Sequence, residues 1–263
     1  MLLCQISDPH VVEPGRLAYG RVDTVGMLSR CVQRILALPR RPEAVVATGD
    51  LTENGAPAQY AMLAEVLAPL PMPVYLAAGN HDDRDALRAA FPGHRHLHGE
   101  DGFVQYAVEF QPLRLVVLDT LIPGQPGGAL CERRLRWLDR TLAQSERPTI
   151  VAQHHPPFAS GLDFMDDMGL ADATAEAAVL ARHPHVERVI CGHQHRNAIA
   201  RFGGTVASIC PSSAHQLRLN LLPGAEVGFT FEPPAFHLHL WNGRELVTHT
   251  ALVDEFASWG ARD

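Results

Sequence analysis

The hydrophobic pattern changes period along the first third of the chain, and each change separates a predicted strand from a predicted helix. Residues 2–7, 44–48 and 74–78 are short apolar runs of the kind found in buried strands. Between them, residues 23–38 and 57–67 carry apolar side chains at helical spacing and stop just before prolines. This β-α-β-α-β order predicts an α/β fold with parallel strand pairing.

The remaining pattern adds antiparallel strands to this opening. Residues 103–110 and 113–119 predict a hairpin, which requires a mixed sheet or a second sheet. The other predicted helices are 83–90, 130–143 and 172–182, and the other predicted strands are 149–152, 186–191, 197–202, 205–210, 235–241 and 245–252. Residues 158–170 predict a loop, and 217–234 have no clear pattern. We therefore expect one domain over residues 1–263, with 217–263 acting as a cap or an oligomerisation element.

The amino-acid composition limits which binding partners and which cellular location we expect for the chain. The chain has 22 basic and 29 acidic side chains, and its formal charge of −7 argues against binding to a nucleic-acid polymer or a membrane surface. No apolar run approaches the length of a membrane span, and the N-terminus lacks the features of a signal peptide. The 5 cysteines form no Cys-x-x-Cys pair, so we expect free thiols and a cytoplasmic location.

Side chains that bind metals follow the apolar runs at the points where those runs end. These exits supply Asp8, His10, Asp50, Asn80, His81, His154, His193 and His195. Because α/β proteins bind ligands at the carboxyl ends of their strands, we expect these side chains to share one edge of the fold. In Asp8-Pro9-His10 and His193-Gln194-His195, alternate side chains project to the same side and can hold one ion.

The mixture of carboxylate, amide and imidazole groups suits iron, manganese, zinc or cobalt better than it suits a thiolate-bound structural zinc. A single ion would leave several of these groups unused. Two divalent ions roughly 3.5–4 Å apart, sharing one carboxylate, would use Asp8, His10, Asp50, Asn80, His154, His193 and His195 together. The sequence therefore predicts that Asp50, which follows the strand 44–48 and Gly49, bridges two metal ions.

A family resemblance follows from the order of these segments, which is Asp8-x-His10, Gly49-Asp50, Gly79-Asn80-His81-Asp82, His154 and Gly192-His193-x-His195. This order resembles that of the calcineurin-like metallophosphoesterases over residues 1–215, and it implies a four-layer α/β/β/α sandwich with two mixed β-sheets. The resemblance implies that Asp8, His10 and His195 bind one metal together with Asp50. It implies that Asn80, His154 and His193 bind the second metal, again with Asp50. His81 is implied to contact the substrate phosphate without binding metal.

Finer features are similar to those of bacterial class III cyclic nucleotide phosphodiesterases and, more closely, of glycerophosphodiesterases. They are Tyr19-Gly20, Gly79-Asn80-His81-Asp82-Asp83, His154-His155-Pro156-Pro157 and Ser213-Ala214-His215-Gln216. This resemblance implies that His215 contacts the substrate phosphate and that the chain forms a homodimer or a higher homo-oligomer. The substrate it implies is a small anionic phosphodiester, either a 3′,5′- or 2′,3′-cyclic nucleotide or a glycerophosphodiester.

General chemistry supplies the expected reaction. Two ions would neutralise the diester and acidify a water between them, and the resulting hydroxide would attack phosphorus in line. His81 would protonate the departing alkoxide, while Asn80 and the metals would stabilise charge on the other oxygens. Two alternatives remain open, namely a phosphomonoesterase or protein phosphatase on the same scaffold and a non-catalytic interaction module. The acidic balance argues against a nuclease that acts on long polymers.

Overall fold

Two β-sheets that carry helices on their outer faces form the body of the protein. The computed structural model describes residues 1–99 and 102–257. The strands are β1 (Leu2–Ile6), β2 (Ala44–Thr48), β3 (Val74–Ala77), β4 (Tyr106–Glu109), β5 (Arg114–Val117), β6 (Thr149–Ala152), β7 (Val186–Cys191), β8 (Ala198–Phe202), β9 (Thr205–Ile209), β10 (Gln216–Leu217), β11 (Phe229–Thr230), β12 (Ala235–Trp241) and β13 (Leu246–Leu252). The helices are α1 (Thr24–Leu36), α2 (Pro57–Leu67), α3 (Arg84–Ala90), α4 (Glu132–Leu142), α5 (Asp163–Asp166) and α6 (Ala173–Leu180), with a 3-10 turn at Arg95–Leu97.

Most predicted elements agree with the observed ones, and the main differences fall in the predicted loop 158–170 and in 217–234, which had no clear pattern. The predicted loop 158–170 contains the short helix α5. Within 217–234, the strand β11 pairs with β10 in an antiparallel ribbon. Both elements are too short for a hydrophobic period to repeat within them, so they depend on contacts with the rest of the chain.

The first sheet has the strand order β13-β12-β1-β2-β3 among the residues that the structure describes. Strands β1, β2 and β3 are parallel, as predicted, while β12 runs antiparallel to β1 and β13 runs antiparallel to β12. Part of the segment expected to act as a cap or oligomer contact, residues 235–252, is thus an integral edge of this sheet. Its role in oligomerisation remains a prediction.

The second sheet has the order β4-β5-β6-β7-β9-β8 within the described ranges and is also mixed. The predicted hairpin is confirmed by the antiparallel pair β4 and β5, and β5, β6 and β7 are parallel. Successive side chains of β5 point to opposite faces of the sheet and pack into two different apolar layers. Leu115 and Val117 join the core that the first sheet shares with α1, α2 and α3, whereas Val116 packs with α4 and α6. The predicted sandwich of two mixed sheets between helical layers is confirmed.

A buried glutamine fixes the two sheets to each other near the carboxyl ends of their central strands. The Gln5 side-chain amide donates to Thr48 Oγ1 at 3.0 Å and to the Cys191 carbonyl at 2.9 Å, which connects β1 to both β2 and β7. The Gln5 oxygen is 3.0 Å from His239 Nε2 on β12. Because each of these groups is buried, the network sets how the strand ends of the two sheets face each other. No described helix has both the length and the apolar character that a membrane crossing requires.

Candidate metal centre

The predicted ligand residues come together at one edge, where β1, β2 and β3 of the first sheet face β6 and β7 of the second. Asp8 and His10 follow β1, Asp50 follows β2, and Asn80 follows β3. His154 follows β6, while His193 and His195 follow β7. All except Asn80 are at most 4% exposed, so a buried polar cluster lies between the ends of the sheets.

The first group of side chains consists of Asp8, His10 and His195. His10 Nε2 and His195 Nε2 are 3.1 Å apart, and His195 Nε2 is 3.5 Å from Asp8 Oδ1. These atoms lie within 4.8 Å of one another, close enough to act on one metal ion. Two sheets contribute to the group, because His195 comes from the second sheet and the other two residues from the first.

Hydrogen bonds on the far side of both imidazoles determine which ring nitrogen carries the proton. His10 Nδ1 is 2.9 Å from Glu53 Oε2, and His195 Nδ1 is 2.9 Å from the His215 carbonyl. Since a carboxylate and a carbonyl only accept, each Nδ1 donates and each neutral ring presents a bare Nε2 lone pair to the other. Facing lone pairs repel each other unless a cation lies between or beside them, so this donor set fits a metal ion.

The second group consists of Asp50, Asn80, His154 and His193. His154 Nε2 lies 3.0 Å from Asn80 Oδ1, 3.2 Å from His193 Nδ1 and 3.3 Å from Asp50 Oδ1. His154 Nδ1 donates to the Thr48 carbonyl at 2.8 Å, and His193 Nε2 donates to the Met168 carbonyl at 3.1 Å. The atoms that face inward are therefore again acceptors or lone pairs, which is the arrangement that a second metal ion requires.

The Asp50 carboxylate lies between the two groups. Its Oδ2 is 3.6 Å from His10 Nε2, and its Oδ1 is 3.3 Å from His154 Nε2. The His81 backbone N–H donates to Oδ1 at 3.0 Å and holds the carboxylate in this orientation. One oxygen thus faces each group, which is the position that a bridging ligand needs.

Electrostatics at the site favour added positive charge. Burial disfavours a charged imidazole, but the Asp50 and Asp8 carboxylates and the Thr48 carbonyl together outweigh burial and raise the pKa of His154 to about 9. Burial lowers the pKa of His193 to about 3, and the nearby His154 contributes further. Burial also raises the pKa of Asp8 to about 6 despite the opposing effect of His154. Divalent cations would supply the positive charge that these buried groups lack.

Backbone strain is concentrated at the same residues. Among the residues described, the non-glycine positions with positive φ are Asp8, His10, Tyr19, Asp50, His193 and His195, with φ between 45° and 74°. Left-handed backbone costs free energy for a residue with a Cβ and survives only where the surrounding structure imposes it. Ligand-bearing turns after β1, β2 and β7 are therefore held in unfavourable conformations that aim their side chains at one point.

Glycines make room for these turns. Gly49 has φ of 91°, and a Cβ there would lie 2.5 Å from His154 Nδ1 and 2.8 Å from the Gly79 nitrogen. A side chain at position 49 would thus displace His154 from its contact with the Thr48 carbonyl. The glycine that made Asp50 conspicuous in the sequence is needed both for the turn and for the approach of the second sheet.

His81 lies next to the cluster with one ring nitrogen already engaged. Its Nδ1 is 2.6 Å from the Glu53 carbonyl oxygen and donates to it, so Nε2 is the nitrogen that faces the site. That Nε2 is 4.0 Å from Asp50 Oδ2. His81 is about one-third exposed, unlike the buried groups around it, and can reach a bound substrate.

Two residues that support the site were missed by sequence reasoning. Glu53 holds His10 through its carboxylate and His81 through its carbonyl. Asp82 accepts hydrogen bonds from the backbone nitrogens of Leu51 and Gly79 at 3.1 and 2.8 Å, which braces the turns after β2 and β3 against each other. Asp82 stands in the run that carried the family resemblance, so a signal existed for it. Glu53 carries no such signal.

His215 lies beside the first group rather than among the ligand atoms. Its ring centre is 4.8 Å from that of His195 and 5.5 Å from that of His10. Its side chain is 1% exposed, and neither ring nitrogen has a partner in the part of the chain that the structure describes. The predicted contact with substrate phosphate remains a prediction.

A cavity of about 240 Å³ opens over the cluster. Its polar floor comprises His10, Asp50, Asn80, His81, His193 and His195. Its walls are mostly apolar and comprise Tyr19, Pro126, Phe164, Met165, Met168, Leu217, Val227 and Phe229. The walls include residues of the predicted loop 158–170 and of the segment 217–234, which lacked a clear sequence pattern. The cavity can hold a small ligand with a charged centre and an apolar periphery.

Comparison with known proteins gives consistent matches. The model of the calcineurin-like phosphoesterase family matches residues 1–197. A probable glycerophosphodiester phosphodiesterase of Arcobacter nitrofigilis is 32% identical over 97% of this chain and 94% of its own length. A probable cyclic nucleotide phosphodiesterase of Rhodopseudomonas palustris is 38% identical over 88% of this chain and 85% of its own length. A dimetal phosphatase from Danio rerio has a similar fold, with a TM-score of 0.70, 16% identity and 97% of both chains covered.

Proposed function

The chain belongs to the calcineurin-like phosphoesterase family, and from this premise we propose that it hydrolyses small phosphodiesters with two divalent metal ions. The observation that carries the proposal is the set of inward-facing ring nitrogens and carboxylate oxygens, divided into two groups on either side of Asp50. Asp8, His10 and His195 would hold one ion, and Asn80, His154 and His193 the other. Iron, manganese, zinc and cobalt all suit these ligands.

Ions in these positions would supply charge neutralisation at phosphorus and lower the pKa of water towards neutrality. The remaining steps belong to side chains of the protein. Asn80 turns its oxygen towards His154, which leaves its amide nitrogen free to donate to a phosphate oxygen. His81 has its Nδ1–H committed to the Glu53 carbonyl, so it donates from Nε2 only as the imidazolium. In that form it would protonate the departing alkoxide.

The substrate class follows from the walls of the cavity and from the relatives. Relatives at 32% and 38% identity are named for glycerophosphodiester and cyclic nucleotide substrates, and both are small diesters. Apolar side chains such as Phe164, Met168 and Phe229 surround the polar floor, and they favour a substrate that carries an apolar or planar group. They also limit the access of water to the charged centre, which strengthens its electrostatic interactions.

The test combines metal analysis with turnover of paired substrates. Protein loaded with manganese or zinc should contain about two ions per chain and should hydrolyse bis(p-nitrophenyl) phosphate faster than the monoester p-nitrophenyl phosphate. Preference for the monoester would indicate a phosphomonoesterase, and a folded, loaded protein that hydrolyses neither compound would contradict the proposal. The exposed His98, far from the strand exits in sequence, provides the control variant His98→Gln, which should behave like the original protein.

The role of His81 has a sharper test, because nitrophenolate departs without a proton whereas an alkoxide requires one. His81→Gln should keep both metal ions. It should lower kcat by about 10²-fold or more for a diester with an alkyl leaving group, and much less for a nitrophenyl diester. Equal losses for the two substrates would mean that His81 positions the phosphate and does not act as the acid.

The chain is also proposed to form a homodimer or higher homo-oligomer, supported by exposed apolar side chains in the 217–231 segment. Leu221, Leu222 and Phe231 are 60%, 70% and 69% exposed. Large apolar side chains exposed within one short segment are a common feature of interaction surfaces. Light scattering on the original chain and on a Leu222→Asp variant would test this, with a shift to monomer expected for the variant.

A further inference from the structure

A second cavity of about 320 Å³ lies against the first one. It is lined by Tyr19, Arg21, Val22, His215, Phe229, Thr230 and Phe231. Tyr19 and Phe229 line both cavities, so these two rings form the partition between them. The two cavities therefore adjoin at these two rings.

Two polar side chains of this second cavity, Arg21 and His215, have no side-chain partner among the described residues. Within residues 1–99 and 102–257, the Arg21 guanidinium makes no ion pair or side-chain hydrogen bond. His215 is 1% exposed, yet its Nδ1 and Nε2 both lack a partner among the described residues. A buried imidazole without hydrogen bonds costs free energy, and a ligand that accepts its N–H would recover it. The Arg21 cation and the buried His215 imidazole thus line the same cavity.

Flat aromatic surfaces frame the same space. The rings of Tyr19 and Phe229 are stacked, with centres 5.0 Å apart and planes 19° apart. His215 packs edge-on against Phe229 with centres 4.9 Å apart. Tyr19, Phe229 and Phe231 are nevertheless 49%, 51% and 69% exposed. Half-exposed rings at the mouth of a cavity are suited to contact with a planar ligand group.

We propose, building on the function proposed above, that the second cavity binds a second anionic group of the substrate, a phosphate or carboxylate on a substituent that also carries a planar ring. Arg21 would pair with the anion, His215 would donate its N–H, and the rings of Tyr19 and Phe229 would contact the planar portion. The diester phosphorus would remain over the metal ligands. The preferred substrate is then a diester with an additional negative charge, rather than a polyol diester without one.

Charge at this end of the molecule is consistent with the proposal. The chain carries a net charge of −7, so an additional anion needs a local cation to offset the overall repulsion. Burial and, after it, the nearby Glu53 carboxylate raise the pKa of Tyr19, and Glu53 is already engaged by His10 at 2.9 Å. Arg21 itself is engaged by no carboxylate in the described part of the chain.

Two matched substrates test the proposal, namely the p-nitrophenyl ester of thymidine 5′-phosphate and the same compound with a 3′-phosphate. The original chain should have a KM about 10-fold lower for the compound with the second phosphate, which corresponds to one charge-assisted contact. Arg21→Gln should abolish this preference by raising that KM, with kcat unchanged. Arg16→Gln changes an exposed arginine in the same loop that does not line the cavity, and it should keep the preference.

A binding measurement keeps this proposal separate from the proposed function. Calorimetric titration with thymidine 3′,5′-bisphosphate and with thymidine 5′-monophosphate requires no turnover. Arg21→Gln should weaken binding of the bisphosphate about 10-fold and leave the monophosphate unchanged. Equal affinities of the original chain for the two compounds, or equal effects of Arg21→Gln on both, would overturn the second anion site. Binding as expected without hydrolysis of either ester would instead contradict the proposed function alone.

Discussion

At the scale of single residues, Asp50 is the group that faces both halves of the candidate site. One carboxylate oxygen faces His10 and the other faces His154, at 3.6 and 3.3 Å from their Nε2 atoms. We expect Asp50→Ala to lose both metal ions and to lower kcat/KM by more than about 100-fold, since even residues behind the ligands contribute 10–100-fold. Metal content measured by plasma mass spectrometry tests the first expectation directly.

The comparison variant for Asp50 is Asp8→Ala, which removes a carboxylate assigned as a ligand to the first ion only, although it also accepts hydrogen bonds from the His193 backbone nitrogen at 2.9 and 3.1 Å. Asp8 Oδ1 is 3.5 Å from His195 Nε2 in the first group. This variant should keep the ion held by Asn80, His154 and His193. If Asp50→Ala also keeps one ion, the carboxylate does not bridge, and two independent sites would describe the cluster better.

Glu53 acts behind the ligands, and its effect should be measurable apart from theirs. Its carboxylate accepts from His10 Nδ1–H at 2.9 Å and thereby places the proton of the neutral ring on Nδ1, which leaves Nε2 to face a metal ion. Glu53→Gln replaces the anion with an amide and should weaken binding of the ion at the first group about 10–100-fold while leaving the second ion in place. Competition with a metal-sensitive dye measures both affinities.

The matched control for this substitution is Glu65→Gln on the exposed surface of α2, which should leave both affinities unchanged. A second control comes from the backbone, because the Glu53 carbonyl that holds His81 is retained in Glu53→Gln. Equal weakening of the two ions would mean that the substitution disturbs the whole cluster and that Glu53 has no specific role at His10.

Side chains at the strand exits could be predicted from sequence because each stands directly after an apolar run. Glu53 and Asp82 could not be assigned in the same way. Glu53 acts on His10 across 43 positions, and Asp82 acts on Leu51 across 31, so only the folded chain brings them together. The division of ligands between two ions came from resemblance, since spacing alone does not say which strand ends face each other.

At the scale of elements, α6 carries a buried acid that links stability to pH. Glu176 is fully buried, and its one described partner is the Gln153 side-chain amide, 3.2 Å away. Burial raises its pKa from 4.5 to about 8. Between these values the folded chain keeps a proton that the unfolded chain releases, so Glu176 makes stability fall as pH rises through this window.

Glu176→Gln should remove this dependence. At pH 8 the free energy of unfolding of the variant should be higher than that of the original chain by on the order of 3 kcal/mol. This difference should shrink towards pH 5. Urea unfolding at several pH values measures it. Glu245→Gln, at an exposed turn between β12 and β13, should show no such trend. A variant that is destabilised equally at every pH would show that Glu176 is ionised and needed in the fold.

Element prediction succeeded for segments that are long enough for their hydrophobic pattern to repeat. Strands β2, β6 and β7 and helix α2 have the predicted bounds. The exceptions were α5 and the ribbon of β10 and β11, whose strands have 2 residues each. These short elements form part of the cavity walls, so the segments with the least regular hydrophobic pattern determine the shape of the cavity. Their structure depends on packing that no local pattern encodes.

At the scale of the whole molecule, the candidate metal centre joins the two sheets. Each group of ligands contains residues from both, with Asp8, His10, Asp50 and Asn80 on the first sheet and His154, His193 and His195 on the second. The Gln5 network provides a protein-only link nearby, but it lies on the inner side of the strand ends. Metal ions bound there would therefore hold the two sheets together, like a clamp between the layers, in addition to their part in the reaction.

Removal of metal should then lower the stability of the entire fold. An ion present at 100 times its Kd stabilises the folded state by about 2.7 kcal/mol. Two ions would raise Tm by roughly 10 °C or more, at roughly 2–4 °C per kcal/mol for a chain of this size. Calorimetry before and after exhaustive chelation tests this expectation, and re-addition of manganese or zinc should restore the original Tm.

Asp50→Ala separates the clamp from a general effect of the chelator. If the ions stabilise the fold through ligands shared by both sheets, this variant should melt near the temperature of the chelated original chain, and chelation should not lower it further. An unchanged Tm in the original chain after its metal has been removed would mean that the Gln5 network and the hydrophobic core alone hold the sheets together. The candidate centre would then be required for chemistry only, and its strained turns would have to be maintained by the protein without help from metal.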